Sequence, residues 1–562
     1  MKKRYAVVGL ALSAALALTG CTSGGAAAPK SGISGEPVTG GTVQVLLNAD
    51  FSHLDPAMGF DGGVNNFYRL IYRTLTTQSS EEGKQDEIVP DLATDLGTPN
   101  DDATEWTFTL KDDIFFEDGT PITSADIKFG VERSFDPAVS VGSPYARILL
   151  ADVDGYQGPE ISGDLSSIVT PDDKTITFTL NQPFADFASA VAQPVYTPFP
   201  ADAGITATSL DAQPIASGPY RVEDYQRGSS LVLVRNEEWD RETDEVRAAA
   251  PDSFEFSFGL DGATIDERMI AGQGDDQNAI AGTVQASSIA RIQTPEIKER
   301  TLDGLGGCTT YMALNTTTEH FSNPLVRQAV AYAIDKQSVK DATGGTQLAD
   351  IAHTMLPPTV AGFTEFNLYP SEGDKGDPEK AKELLAEAGL PDGFEFTLDI
   401  RSQPKMQAQA EAVQQSLAKA GITVNFNLID TSTYYEVIGT ISQQNDAAIT
   451  GWCPDWASGS TFLPPLFEGS QIFEKGNSNV AQFNDPAVNA RMDEIRAMTD
   501  VDEANAAWGA LDEQIQEQVP DVPLLFEKVV LVVGANVAGA KTHSGFSGGI
   551  DYVSVGLASV SE

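Results

Sequence analysis

The chain has 562 residues, with 81 acidic side chains against 35 basic ones and a formal charge of −46. Such a chain repels nucleic acid, whose binding needs cations to displace phosphate counterions, and it disfavours direct adhesion to anionic lipid. With 41% hydrophobic residues it can bury cores, and the length allows roughly two to four domains.

Lys2, Lys3 and Arg4 open the chain, and an apolar run follows to Leu18, broken only by Gly9 and Ser13. The run is shorter than the ~20 residues of a spanning helix and reads as the core of an export signal. Leu18-Thr19-Gly20-Cys21 resembles a bacterial lipobox, in which the cysteine carries the lipid and becomes the mature N-terminus. Residues 1–20 are therefore expected to be a signal peptide. Residues 21–39 are expected to be a lipidated Cys21 and a flexible Gly/Ala/Ser-rich tether. No later stretch is long and apolar enough to span a bilayer. With Cys21 lipidated, Cys308 and Cys453 remain, either as a bridge or as two buried thiols.

Residues 104–110 and 174–180 alternate apolar with polar side chains (Trp106, Phe108, Leu110; Ile176, Phe178, Leu180), the period of half-buried strands. Between them, 123–135 reads as a helix capped by Thr123 or Ser124. Asn323-Pro324 and Asp377-Pro378 each set a cap and a first-turn proline before an apolar face. They predict helices over 323–334 and 377–388, the second stopped by Gly389. Phe394, Phe396, Leu398 and Ile400 predict a strand, 406–420 a helix and 422–428 a second strand. Together these form a βαβ unit with a parallel pair. An amphipathic helix over 504–519 and an apolar strand over 522–533 follow. The class is α/β.

The chain has no G-x-x-x-x-G-K-[ST], C-x-x-C or H-E-x-x-H string, and His53, His320, His353 and His543 are scattered. Neither a metal nor a cofactor is expected. Residues 545–549 fit the nucleophile elbow G-x-S-x-G around Ser547, but no histidine follows to serve it. A glycine-rich turn accounts for the string, and no catalytic residue is expected.

Eight further stretches follow one another along the chain: GGTVQVLLNADFSHLDPAMG, IVPDLATDLG, WTFTLKDDIFFEDGTPITSADIKFGVERSFDP, SGPYRVEDY, LVLVRNEEW, MALNTTTEHFSNPLVRQAVAYAIDK, DPEKAKELLAEAGL and GWCPDWASGSTFLPPLF. In these the chain resembles family 5 of the bacterial extracellular solute-binding proteins, the oligopeptide, dipeptide and nickel-type receptors of ABC importers. The resemblance implies a two-lobed periplasmic-binding-protein-like α/β fold (type II, cluster C) with an extra domain inserted in the first lobe. The first lobe would be 40–72, 209–305 and 516–562, the insert 73–208 and the second lobe 306–515. The lobes would close around a ligand by a hinge motion.

In peptide-binding members an aspartate just after G-W-C-x pairs with the ligand's α-ammonium, and here that residue is Asp455. By the same resemblance, Trp452 and Trp456 would wall the cleft. The strand from Tyr311 to Asn315 would pair with the main chain of an extended peptide. Cys308 and Cys453 match a disulfide of some relatives. Residues 438–450 hold no Lys or Arg, although some oligopeptide binders meet the ligand carboxylate there. The implied protein is a monomeric receptor, lipid-anchored at the outer face of the cytoplasmic membrane. It would deliver an oligopeptide to an ABC permease and its ATPase subunits, without enzyme activity. Two readings compete: the same fold binding an oligosaccharide, a metallophore or haem, and a secreted serine hydrolase built on Ser547.

Overall fold

The computed structural model describes residues 35–139, 142–201, 203–206 and 208–559. The expected signal segment 1–20, Cys21 and the expected tether up to residue 34 lie outside the described residues.

Strand Thr42–Leu46 buries Val43 and Val45, and strand Ser253–Ser257 buries Phe254 and Phe256, each turning alternate side chains into one core. The two pair in parallel, Ala279–Ala281 joins the far edge in parallel, and the antiparallel strands Tyr220–Gln226 and Ser230–Arg235 complete a sheet of five. Helix Gly62–Ile71, whose first turn is capped when Asp61 accepts from the Val64 amide, adds Val64, Phe67 and Leu70 to that core.

A second core is built almost wholly from residues 75 to 196. The predicted strands appear as Glu105–Thr109 and Thr175–Thr179, antiparallel with Trp106 opposite Phe178, inside a sheet of four. Helix Ser124–Arg133 starts where the Asp126 carboxylate accepts from both the amide and the hydroxyl of Thr123. One outsider enters this core: Trp456.

The largest sheet has six strands in the order Ala349–Ile351, Asp521–Val532, Thr301–Leu314, Ala447–Trp452, Glu395–Arg401, Thr423–Ile429. The βαβ unit is there: Glu395–Arg401 and Thr423–Ile429 run parallel in register, joined by helix Pro404–Lys419. Helices Pro324–Ala333 and Pro378–Glu387 carry the expected caps, Asn323 accepting from the Leu325 amide and Asp377 from the Lys380 amide. Helix Val501–Gln516 starts earlier than its apolar stripe suggested, because Asp500 caps it.

Two strands of this sheet serve two cores. Residues 301–305 pair with 528–532, where Leu302, Val529 and Leu531 join the core of the five-stranded sheet. Residues 309–313 pair with 521–526, where Met312, Val522 and Leu524 join another core. The register breaks between them at Gly306, Gly307 and Cys308. Gly307 sits at φ +72°, where a Cβ would press on the Ser544 carbonyl. The architecture is the expected two-lobed α/β fold, with an antiparallel strand pair running from one lobe into the other.

Candidate functional site

Strand Ala447–Trp452 lies in the interior of the six-stranded sheet, paired with 309–314, and delivers Cys453 to the edge of the lobe. There Cys453 is bonded to Cys308, at the register break of the strand pair, with 4.2 Å between Cα atoms. The chain then folds back on itself. The Asp455 amide donates to Thr461 Oγ1 (3.2 Å), and the Trp452 indole donates to the Thr461 carbonyl (2.9 Å). From the 75–196 core, Gln193 Nε2 donates to the Asp455 carbonyl (3.1 Å).

The Asp455 carboxylate accepts the hydroxyl of Tyr145. Burial lifts this carboxyl to about 6, and the Tyr145 hydrogen bond opposes the lift; no cation among the described residues contributes. An enclosed carboxylate without a cation is held at a cost that a charged partner would remove. It borders a small cavity of about 30 Å³. The cavity's far wall is one face of helix Gly62–Ile71, continued past its end: Asn65, Tyr68, Arg69 and Tyr72, at helical spacing.

That wall is backed by a buried lattice of charges. Arg247 donates from Nε to the Arg69 carbonyl (2.7 Å), from Nη1 to Asp91 and Asp244, and from Nη2 to Asp91 and the Tyr72 carbonyl. Arg73 joins Asp91 through Nε (2.7 Å). Arg69 pairs with Asp551 (2.8 Å) and lies over the Phe546 ring, 4.9 Å from its centroid. A separate pair, Arg133 with Asp55, ties the helix Ser124–Arg133 of the second core to the segment before helix Gly62–Ile71 through two bonds of 2.9 and 2.6 Å.

Trp456 is 3% exposed and packed within the 75–196 core, 4.5 Å centroid to centroid from Tyr145 and 6.2 Å from Phe184, and it also borders a small pocket with Gln78, Ser544 and Gly545. Two expectations are corrected. Trp452 leans, half-buried, on the core that holds Tyr311, and does not border the cavity beside Asp455. Pairing of a ligand along Tyr311 to Asn315 is excluded by topology. Tyr311 is 2% exposed and already opposite Thr450 on one side and Pro523 on the other, and the Asn315 amide is taken by Asp446. Apolar alternation identifies a strand but does not say whether its edges are free.

Ser547 stands alone. It occupies an exposed turn at φ +54°, and the buried His543 is already committed at both ring nitrogens. Nδ1 accepts from the Gly545 amide (3.2 Å) and Nε2 faces the Ser79 carbonyl (3.1 Å). No lone pair is left for a serine hydroxyl, so the elbow reading fails. Among the described residues no group of three potential metal ligands occurs, and no helix is long and apolar enough to cross a membrane.

Sequence reasoning missed Tyr145, Gln193 and Arg69. Arg69 left a faint signal, a charge on the same helical face as Tyr68 and Tyr72. Tyr145 and Gln193 left none, since their link to Asp455 spans 310 and 262 residues.

The family described as bacterial extracellular solute-binding proteins, family 5, matches residues 87–474. The chain belongs to that family. A solved structure titled clavulanic acid biosynthesis oligopeptide binding protein 2 superposes with a TM-score of 0.89 at 33% identity, covering 94% of this chain and 99% of that one. Heme-binding protein A of Haemophilus influenzae is 29% identical over 492 residues, 84% of each chain. The glutathione-binding protein GsiB of Escherichia coli is 25% identical over 521 residues, 88% of this chain and 91% of that one. Family 5 proteins are extracytoplasmic receptors that deliver ligands to ABC permeases. These relatives are binding proteins, in keeping with the lack of a base for Ser547.

Proposed function

We propose that this family 5 receptor binds oligopeptides, holding the α-ammonium on Asp455, and is anchored through a lipid on Cys21 to the outer face of the cytoplasmic membrane. It would hand its ligand to a permease driven by separate ATPase subunits. The observation that carries the ligand reading is the enclosed Asp455 carboxylate, which meets a phenol and no cation. A ligand ammonium supplies the missing charge. The name of the 33% identical structure supports peptides. Asp55 with Arg133, and Trp456 within the 75–196 core, support a division in which 73–208 is an insert between first-lobe segments and contacts both lobes.

Glutathione, the ligand in GsiB's name, also carries a free ammonium and would use the same carboxylate. Haem, in the name of another relative, offers carboxylates and no ammonium, which an enclosed acid disfavours.

Titration calorimetry with a random peptide pool tests the reading: absence of both heat and thermal shift would sink it. Asp455→Ala should weaken free-amine peptides much more than N-acetylated ones. Equal losses would remove Asp455 from the role. Cys21→Ala should abolish incorporation of labelled palmitate and release the protein from the membrane.

A further inference from the structure

A second small cavity shares no residue with the one beside Asp455. Three buried polar atoms on its lining residues have no hydrogen-bond partner in the protein: Asp521 Oδ1, Gln516 Nε2 and His353 Nδ1. Asp521 and Gln516 are each 2% exposed. Buried polar groups without partners are rare, because each has lost water and gained nothing. Lys336 borders the same cavity. Its Nζ donates to the Ala352 carbonyl (2.8 Å), and an ammonium has two further N–H groups to place. The volume is about 10 Å³, room for one water and for no larger guest.

Four elements meet here. Asp521 opens strand Asp521–Val532, which runs on into the other lobe. Gln516 closes helix Val501–Gln516, and Lys336 opens helix Lys336–Thr343. His353 follows strand Ala349–Ile351, itself paired with 525–527. Donors and acceptors balance around the cavity. Lys336 and Gln516 bring N–H groups, and Asp521 Oδ1 accepts. His353 Nδ1 accepts too, because Nε2 faces Asp374 Oδ1 (3.4 Å) and burial pulls the ring below the usual histidine range, which favours its neutral form. Two donors and two acceptors match the two lone pairs and two hydrogens of water. A cation would meet the Lys336 ammonium, and an anion would meet Asp521.

The two ionisable groups are shifted in opposite senses. Burial pushes the Asp521 carboxyl well above the usual carboxylate range. Burial also pulls the Lys336 ammonium down to about 8, against the charge of Asp374. The other titratable neighbours are Tyr311 beside Asp521 and Glu365 near His353. Tyr369 and Arg327 donate to the carbonyls of 516 to 519.

We propose that one buried water bridges Lys336 to Asp521 at the foot of the crossing strand, and that the two share a single proton through it. The water accepts from Lys336 Nζ and Gln516 Nε2 and donates to Asp521 Oδ1 and His353 Nδ1. As Lys336 gives a proton to the water, the water gives another to Asp521. Ammonium and carboxylate become amine and acid, with no change in net charge. The unfolded pair is also neutral near pH 7. The bridge therefore fastens an extracytoplasmic fold without making it sensitive to pH in the neutral range. It does not depend on the peptide reading.

A crystal structure of the wild-type protein should show one water within hydrogen-bond distance of all four atoms. Direct contact of Lys336 with Asp521, or no ordered water, would overturn the bridge. Urea unfolding over a pH series tests the shared proton, each variant being compared with wild type. In Lys336→Met, native Asp521 keeps a proton that the unfolded chain releases above 3.8. Its folding constant should fall as pH rises from about 5 to 8, approaching about tenfold per unit. In Asp521→Asn, native Lys336 loses its proton at about 8 and the unfolded chain at 10.5, so the constant should rise between those values. The double variant should follow the wild-type slope. If Lys336→Met departs from wild type only above about 8, or Asp521→Asn departs below it, the groups titrate independently and the inference falls.

Discussion

Tyr145 donates its hydroxyl to the Asp455 carboxylate across 310 residues of chain. Two forces meet on that carboxyl: burial, which lifts it to about 6, and the Tyr145 hydrogen bond, which favours the ionised form. Affinity for free-amine peptides should therefore fall as pH drops through about 6, where Asp455 takes a proton and loses its charge. Tyr145→Phe removes the opposing bond and should move the midpoint of that fall to higher pH. Calorimetry of both proteins over a pH series decides it, and identical midpoints would dismiss the coupling. The stability effect has the opposite sign. Between 3.8 and about 6 the native state holds a proton that the unfolded chain has released, so this group alone makes the ligand-free protein more stable as pH falls through that window.

The disulfide joins residues 145 apart, a long loop in the unfolded chain. Replacing Cys308 and Cys453 with serine should cost about 2–5 kcal/mol, read from urea unfolding. It should also weaken free-amine ligands, because Asp455 lies two residues beyond Cys453. A variant of unchanged affinity would show that hydrogen bonds alone hold Asp455 in place.

Arg133 and Asp55 form a buried pair with side chains no more than 6% exposed. Arg133→Gln leaves Asp55 charged and unmatched, and should cost about 3–5 kcal/mol in denaturant unfolding. Adding Asp55→Asn should recover much of that loss. No recovery would mean that the guanidinium acts chiefly by packing over Phe199, whose ring centroid lies 5.4 Å away.

Trp456→Ala should behave as a core truncation, losing about 3–5 kcal/mol, because the ring packs on Tyr145 and Phe184. Trp452→Ala, from a half-buried position, should lose less. Were Trp456 a cleft wall, its loss would instead weaken ligands and spare stability.

Local patterns were legible to the degree that local physics decides them. Asn323-Pro324 and Asp377-Pro378 start their helices as read, and Phe396, Leu398 and Ile400 form a buried strand beside Val424. Asp455 is legible through the Gly451-Trp452-Cys453-Pro454 motif before it, by resemblance to the family. What stayed hidden was partnership. An arginine at 133 and an aspartate at 55 look like ordinary surface charges until the fold buries them together. A large aromatic beside a binding aspartate, such as Trp456, suits either a ligand or a core, and only the tertiary fold shows how much of it the 75–196 core takes. Tyr311 reads as a strand residue, which it is, but both flanks of that strand are closed by segments more than 130 residues downstream.

The register break at Gly306, Gly307 and Cys308 has a mechanical consequence. The strand pair between the lobes is irregular there, and the disulfide fastens Cys453 to that point with Cα atoms 4.2 Å apart. Asp455, two residues on, is within about 7 Å of Cys453 by chain length alone. For a rotation pivoting at the break, Asp455 has a short lever arm, while the outer tips of the lobes swing through long arcs. A ligand's ammonium could then dock on a nearly stationary anchor before the opposite wall arrives. Capture would precede enclosure, and discrimination would belong to the second event.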